Sequence, residues 1–277
     1  MQYNEYQPCS QLKEYINCFW SIEGYTHSSE SIPERIIPDG SIELIFHFAT
    51  PFERTTAEGI KSTQPKFFIA GQFTRFIYLE PKAHVHIIGI RLFPWAARLF
   101  LDIPVYELTD KMPNLVEIIG NEIILLAEQL HETKNMNGII SVLETFLLKR
   151  ININHLDLIV ASAIKQITKS KGEVKFDSLI SQFNITQRRF EQRFINSIGI
   201  TPKFFSRVVR FQNFFRQYEK FPSQNFTFLA YECGYYDQAH LIKDFNQFTG
   251  VSPRKYFFEK HFISDCFSNS KAISFLY

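Results

Sequence analysis

Residues 186–198 read TQRRFEQRFINSI, and the polar side chains among them are of the kinds that read base edges. Arginine offers paired donors to guanine, and glutamine or asparagine matches the donor and acceptor of adenine. Phe190 and Phe194 stand four apart, so on a helix they share a buried face. Arg188, Gln192 and Asn196 then fall opposite, with Arg189 beside them. The first turn of such a helix enters a major groove deepest, which makes Gln187 and Arg188 the foremost base readers. A second stretch, DQAHLIKDFNQF from residue 237, carries the same geometry. Leu241 and Phe245 point inward; Ala239, Lys243 and Gln247 point outward, with Gln238 and His240 nearby. Ala239 suits a thymine methyl, Gln238 a base edge, and Lys243 a guanine or a phosphate. Asp237 reads as the helix cap, because a carboxylate beside phosphate is repelled. Cations that meet the phosphate backbone position a protein without specifying sequence; Lys165, Lys169, Lys203, Arg207 and Arg210 are the candidates. A solvated face is the competing reading for Arg188, Arg189 and Arg193, and two units in tandem disfavour it.

These residues lie in a repeat. LISQFNITQRRFEQRFINSIGITPKFF from Leu179 and LAYECGYYDQAHLIKDFNQFTGVSPRKY from Leu229 follow one helix-turn-helix plan. Leu179 and Leu229 are 50 apart, whereas Phe190/Leu241, Phe194/Phe245, Gly199/Gly250, Thr201/Ser252 and Pro202/Pro253 are all 51 apart. The extra residue falls in the turn, since an insertion within a helix would rotate its apolar face by about 100°. Asn184 and Gly234 are the turn residues that tolerate a left-handed backbone. Thr201 and Ser252 can cap new helices, and Pro202 and Pro253 fit their first turns. Residues 153–174 predict a helix stopped near Gly172. Residues 202–218 predict one joining the two units, with Phe204, Val208, Phe211 and Phe215 in a stripe.

The formal net charge of +2 conceals a division. Residues 1–154 hold 13 Lys+Arg against 18 Asp+Glu, and residues 155–262 hold 16 against 9. The repeat therefore sits in the basic part, the sign that an approach to phosphate requires. At 277 residues the chain is long enough for two domains. Residues 32–93 predict strands (IPERIIP, SIELIFHF, KFFIAGQF, RFIYLEP and HVHIIGIRLF) around turns such as PDGS. From Pro94 the period becomes helical, with a short helix at PWAARLFL and longer ones over 114–131 and 136–150 that pack on the sheet or on a second protomer. The four cysteines, Cys9, Cys18, Cys233 and Cys266, lack metal or redox spacing and read as reduced thiols. No signal peptide and no run of ~20 apolar residues appears, so the expected location is cytoplasmic, with no membrane partner.

No Ser-His-Asp, Cys-His, HExxH or glycine-rich phosphate motif is present, so neither an enzyme nor a cofactor is expected. His84 and His86 with Glu43 and His47 would make a metal site only if they met inside a barrel; satisfied or exposed histidines are the preferred reading. Trp20, Tyr25, Phe46, Phe48, Trp95 and Arg91 would line a pocket for an acidic ligand only if they converge, and core aromatics explain most of them equally well. A DNA-binding enzyme and a regulator working through protein contacts remain as alternatives.

Residues 153–260 resemble the DNA-binding domain of AraC/XylS-type bacterial transcription regulators, whose mark is two helix-turn-helix units joined by one helix. The second-unit signature stands here as Ala230, Gly234, Tyr235, Leu241, Phe245, Gly250, Ser252, Pro253 and Tyr256. GYYDQAHLIKDF, RFEQRF, YQPCSQLKEYINCFW, PDGSIELIF and AGQFTR resemble a subgroup with a poorly characterised N-terminal domain. Three positions depart: Asn246 replaces a basic residue, Phe257 an arginine, and Ile180 a small residue. The resemblance implies sequence-specific promoter binding to double-stranded DNA, usually activation through RNA polymerase, and an N-terminal domain that senses a small-molecule effector or dimerises. A monomer or a homodimer is compatible. The expected fold is two-domain α+β: a small N-terminal β-sheet or barrel (cupin-like) with following helices, then a C-terminal all-α domain with two helix-turn-helix units joined by a helix. The expected divisions are 1–152, 153–262 and a tail, 263–277.

Overall fold

The computed structural model describes residues 1–25 and 33–258. Ile32, Cys266, residues 259–262 and the tail 263–277 lie outside the described residues.

Among the described residues nine strands form two antiparallel sheets. They are β1 (Gln2–Tyr6), β2 (Ile16–Tyr25), β3 (Glu34–Ile36), β4 (Ile42–His47), β5 (Glu53–Thr56), β6 (Lys61–Thr63), β7 (Phe67–Ala70), β8 (Ile77–Glu80) and β9 (His84–Leu92). One sheet runs β1-β2-β9-β4-β7 and the other β3-β8-β5-β6. The larger sheet is covered on both faces, which is why β4 is buried at every residue and reads as an almost unbroken apolar run. One face, with Cys18, Trp20, Ile45, Phe68 and Ile87, packs on the smaller sheet through Phe52, Ile77 and Leu79. The other face, with Phe19, Leu44, Phe46, Ile88 and Ile90, packs on helices.

Those helices are α1 (Ala97–Phe100), α2 (Leu115–Ile119), α3 (Glu122–Glu132) and α4 (Met136–Arg150). The predicted 114–131 helix is broken because Gly120, at φ +103°, ends α2 before α3 starts. Leu115, Ile123, Leu126, Leu130, Leu143 and Leu147 bury against the sheet, so α2–α4 pack on their own domain. The C-terminal domain contains α5 (Leu158–Lys169), α6 (Phe176–Ser181), α7 (Gln187–Ile198), α8 (Pro202–Lys220), α9 (Phe226–Glu232), α10 (Gln238–Thr249) and α11 (Pro253–Tyr256). No helix among the described residues is long and apolar enough to cross a membrane.

The metal and pocket constellations do not form. His84 and His86 share a face of β9, but β9 pairs with β4 so that Glu43 lies opposite Arg91 and His47 opposite Ile87. Odd and even residues of β9 point to opposite faces, so the two histidine groups lie on opposite sides of the sheet. Glu43 instead pairs with Arg91 at 2.6 Å, fully buried on the arginine side. Trp20 packs on the inter-sheet face, Phe46 on the helix-covered face, and Tyr25 is 65% exposed, so the six pocket candidates do not converge. A cavity of about 60 Å³ between the sheets is lined by other residues, among them Ile37, Asp39, Glu43, Phe73 and Met112.

Candidate nucleic-acid interface

Each helix-turn-helix unit is held from the inside by aromatic rings. In the first, Phe190 lies 6.1 Å from Phe183 and 5.8 Å from Phe194, and Phe194 meets Phe205 of α8 edge-on at 5.9 Å. Val160, Ile164 and Ile167 of α5 and Leu179 and Ile180 of α6 complete this core. In the second, Phe245 meets Phe211 at 5.3 Å, Phe214 at 5.7 Å and Tyr256 at 5.6 Å. Edge-to-face contacts of this kind add to the area buried and fix ring orientation. The 19 residues of α8 span about 28 Å and carry side chains into both cores.

Local capping sets where the recognition helices begin and end. Thr186 accepts from the Arg189 amide at the start of α7, and Asp237 accepts from the His240 amide at 2.7 Å at the start of α10. The turn residues are left-handed: Asn184 has φ +50° and Gly234 φ +71°. Gly199 and Gly250 end α7 and α10 in the same left-handed conformation, and Thr201 and Ser252 cap α8 and α11 ahead of Pro202 and Pro253.

On the outer face of α7, Arg188, Arg189, Gln192 and Asn196 are all exposed. Gln187 is exposed too, and its Nε2 donates to Glu191 Oε1 at 2.8 Å. On α10, Ala239 and Lys243 are exposed. Gln238 is half-buried and accepts from the Thr227 hydroxyl at 2.8 Å, and His240 is half-buried with its ring edge-on to Tyr235. Arg188/Ala239, Gln192/Lys243 and Asn196/Gln247 are each 51 apart, so the two outer rows correspond through the repeat.

The five candidate phosphate cations divide into two groups. Lys165, Lys169 and Lys203 are exposed, with the Lys165 ammonium 5.5 Å over the Trp95 ring. Arg207 is turned inward: its Nη2 donates to Asp244 Oδ1 and to Gln247 Oε1, both at 2.6 Å, and its guanidinium lies over Phe204 and Phe248. Arg210 donates to the Gly172 carbonyl at 3.1 Å and lies over Tyr235. Arg193 is not simply solvated. Its Nε and Nη2 donate to Asp157 Oδ2 and Oδ1 at 2.7 and 2.8 Å, and these hydrogen bonds to the Asp157 carboxylate raise its pKa. Sequence reading passed over Asp157, Asp244 and the 85% exposed Tyr236 in the turn before α10. The repeat offsets carried a signal for the two aspartates; Tyr236 had none beyond being an aromatic among polar neighbours.

The departures at Ile180 and Phe257 are absorbed by the cores. Ile180 is buried between α5, α6 and α7, and Phe257 stacks on Tyr218 at 3.8 Å. Asn246 is exposed.

Residues 4–114 match a family described as a Domain of unknown function (DUF6597), and residues 179–258 match a Helix-turn-helix domain that spans both units and the helix joining them. Residues 179–258 belong to that helix-turn-helix family. No curated protein matches this chain. Solved structures similar to this chain include ToxT from Vibrio cholerae, at 12% identity and TM-score 0.47, covering 87% of this chain and 98% of that one. ToxT from Vibrio cholerae O395 stands at 10%, 0.46, 87% and 97%. ToxT from strain SCE256 with an unsaturated fatty acid bound stands at 12%, 0.44, 87% and 93%.

Proposed function

We propose that the chain binds duplex DNA sequence-specifically, laying α7 and α10 into two successive major-groove segments about one helical turn, or ~34 Å, apart. The observation that carries this reading is the pair of exposed outer rows, Arg188/Gln192/Asn196 and Ala239/Lys243, related by the repeat offset and backed by buried aromatic faces. Arg188 reads guanine, and Gln187, Arg189, Gln192 and Asn196 extend the first contact. Ala239 meets a thymine methyl, with Lys243 beside it and Gln238 and His240 at the margin. Lys165, Lys169 and Lys203 supply phosphate contacts, and Tyr236 is placed to add one. Arg207 and Arg210, already engaged within the protein, are assigned to bracing.

The protein acts in the cytoplasm as an activator, dividing near residue 152 into an N-terminal regulatory domain and a DNA-binding domain. The cavity between the sheets, at about 60 Å³, is too small for an effector unless it enlarges, whereas a cleft of about 290 Å³ between α3 and α4, lined by Leu125, Gln129, Val142 and Phe146, approaches the ~300 to 1,000 Å³ of small-molecule sites. Selection of bound sequences from a random duplex pool at two salt concentrations tests the DNA reading. Enrichment of a bipartite site with centres about ten base pairs apart is expected. Arg188→Ala should cost about 1 to 3 kcal/mol and relax one position. Equal weakening on every sequence would remove Arg188 from the base readers, and no enrichment with the unaltered chain would sink the reading.

A further inference from the structure

Each recognition helix carries one ion pair on its inner side, and the two pairs occupy equivalent places in the repeat. Arg193 and Asp244 are 51 apart, each immediately before a buried phenylalanine, Phe194 or Phe245. Their partners, Asp157 and Arg207, are 50 apart. These are the offsets the apolar positions show before and after the turn. Asp157 caps α5, the helix leading into the first unit; Arg207 lies on α8, the helix leading into the second. The contacts are Arg193 to Asp157 at 2.7 and 2.8 Å and Arg207 to Asp244 at 2.6 and 3.1 Å.

The polarity is reversed. The first unit has the cation on the recognition helix and the anion on the leading helix, and the second unit has them exchanged. A residue that met DNA from this position would need a positive charge in both units, whereas Asp244 is an anion with 2% of its side chain exposed. What both units keep is the pair.

We propose that Asp157–Arg193 and Arg207–Asp244 are positioning pairs, each fixing the angle at which its recognition helix leaves the core and hence the register of that helix on its half-site. The inference rests on the double helix-turn-helix reading. A guanidinium holding a carboxylate through two N–H groups resists rotation of one helix about the other, which an apolar contact permits. In the second unit Gln247 Oε1 also accepts from Arg207 at 2.6 Å, one turn beyond Lys243, so the same brace restrains the outer row.

The test is site selection with the full chain and with Arg207→Ala, Asp157→Asn, Lys203→Ala and the exchange Arg207→Asp/Asp244→Arg. Asparagine at 157 keeps the cap on α5 while removing the charge. Arg207→Ala is expected to lose at least tenfold in preference at the half-site read by α10 alone, with the salt dependence unchanged. Asp157→Asn should do the same at the half-site read by α7. Lys203→Ala should weaken all sequences alike and lower the salt slope by about one. The exchange should restore preference at the α10 half-site. Loss at both half-sites together in Arg207→Ala and Asp157→Asn would reduce the pairs to general folding contacts. A salt slope lowered by Arg207→Ala would return Arg207 to the phosphate set; either result overturns the proposal. If the unaltered chain selects no sequence, the DNA reading itself fails, which is a different outcome from selection that the variants leave intact.

Discussion

Lys203 and Arg207 stand one turn apart on the same helix, yet one faces solvent and the other closes on a buried carboxylate. Residue type announces a cation; only the fold decides what it meets. His47 is a second case. Its ring sits between Phe52 and Phe68 with Nε2 3.1 Å from Gln64 Oε1, and burial pushes its pKa down from 6.5 to about 4. Because the folded protein holds this imidazole neutral, the unfolded chain takes up a proton first as pH falls. Its contribution is therefore complete above pH 6.5 and is lost progressively down to pH 4, by up to about 3 kcal/mol. Denaturant midpoints measured from pH 7 to pH 4 should fall less steeply for His47→Gln than for the unaltered chain. Parallel curves would show that His47 is protonated inside the fold.

The helix-turn-helix elements are built on caps and left-handed turns that tolerate few substitutes. Asn184 at φ +50° is a side chain in a conformation that costs an ordinary L-residue about 1 to 2 kcal/mol. Asn184→Gly should therefore leave the melting temperature unchanged or raise it slightly, and Asn184→Ala should lower stability by about 1 kcal/mol; the opposite order would mean that the turn is not left-handed. This turn was legible because asparagine and glycine occur at matching points of a repeat, and the helices around it because aromatic residues recur four apart. The sheet was less so. β2 is buried along most of its length, which erases alternation, and β5 and β6 lie in ERTT and KST, where polar residues hide a strand. For the same reason the face of His84 and His86 could not be read without the pairing of β9. The outer rows of α7 and α10 followed from helical geometry alone, whereas the bracing of Arg193 and Arg207 needed partners 36 and 37 residues away.

At the scale of the whole molecule, the N-terminal domain touches both helix-turn-helix units at equivalent corners. Thr109 donates to the Gly199 carbonyl at 2.8 Å where α7 ends, and Phe76 lies against Gly250 where α10 ends. Between them Gln212 of α8 donates to the Pro38 carbonyl at 2.6 Å, and Ile37 is buried in the same cluster as Val208 and Phe211. Arg35 lies over Phe76 and Tyr78 of its own domain and over Tyr256 of the other, adding one cation–π contact across the boundary. A core shared in this way makes the two domains unfold together, so calorimetry of the full chain should give one transition. Gly250→Ala tests the coupling from a single point, because a Cβ there would stand 2.4 Å from the Phe76 ring at a backbone φ of +75°. The strained backbone alone costs about 1 to 2 kcal/mol. Displacement of Phe76 adds to this, so the shared transition should drop by several degrees as a unit. Two transitions, with only the C-terminal one displaced, would mean that the domains are energetically separate. Where a ligand of the N-terminal domain alters DNA affinity, DNA must alter affinity for that ligand by the same factor.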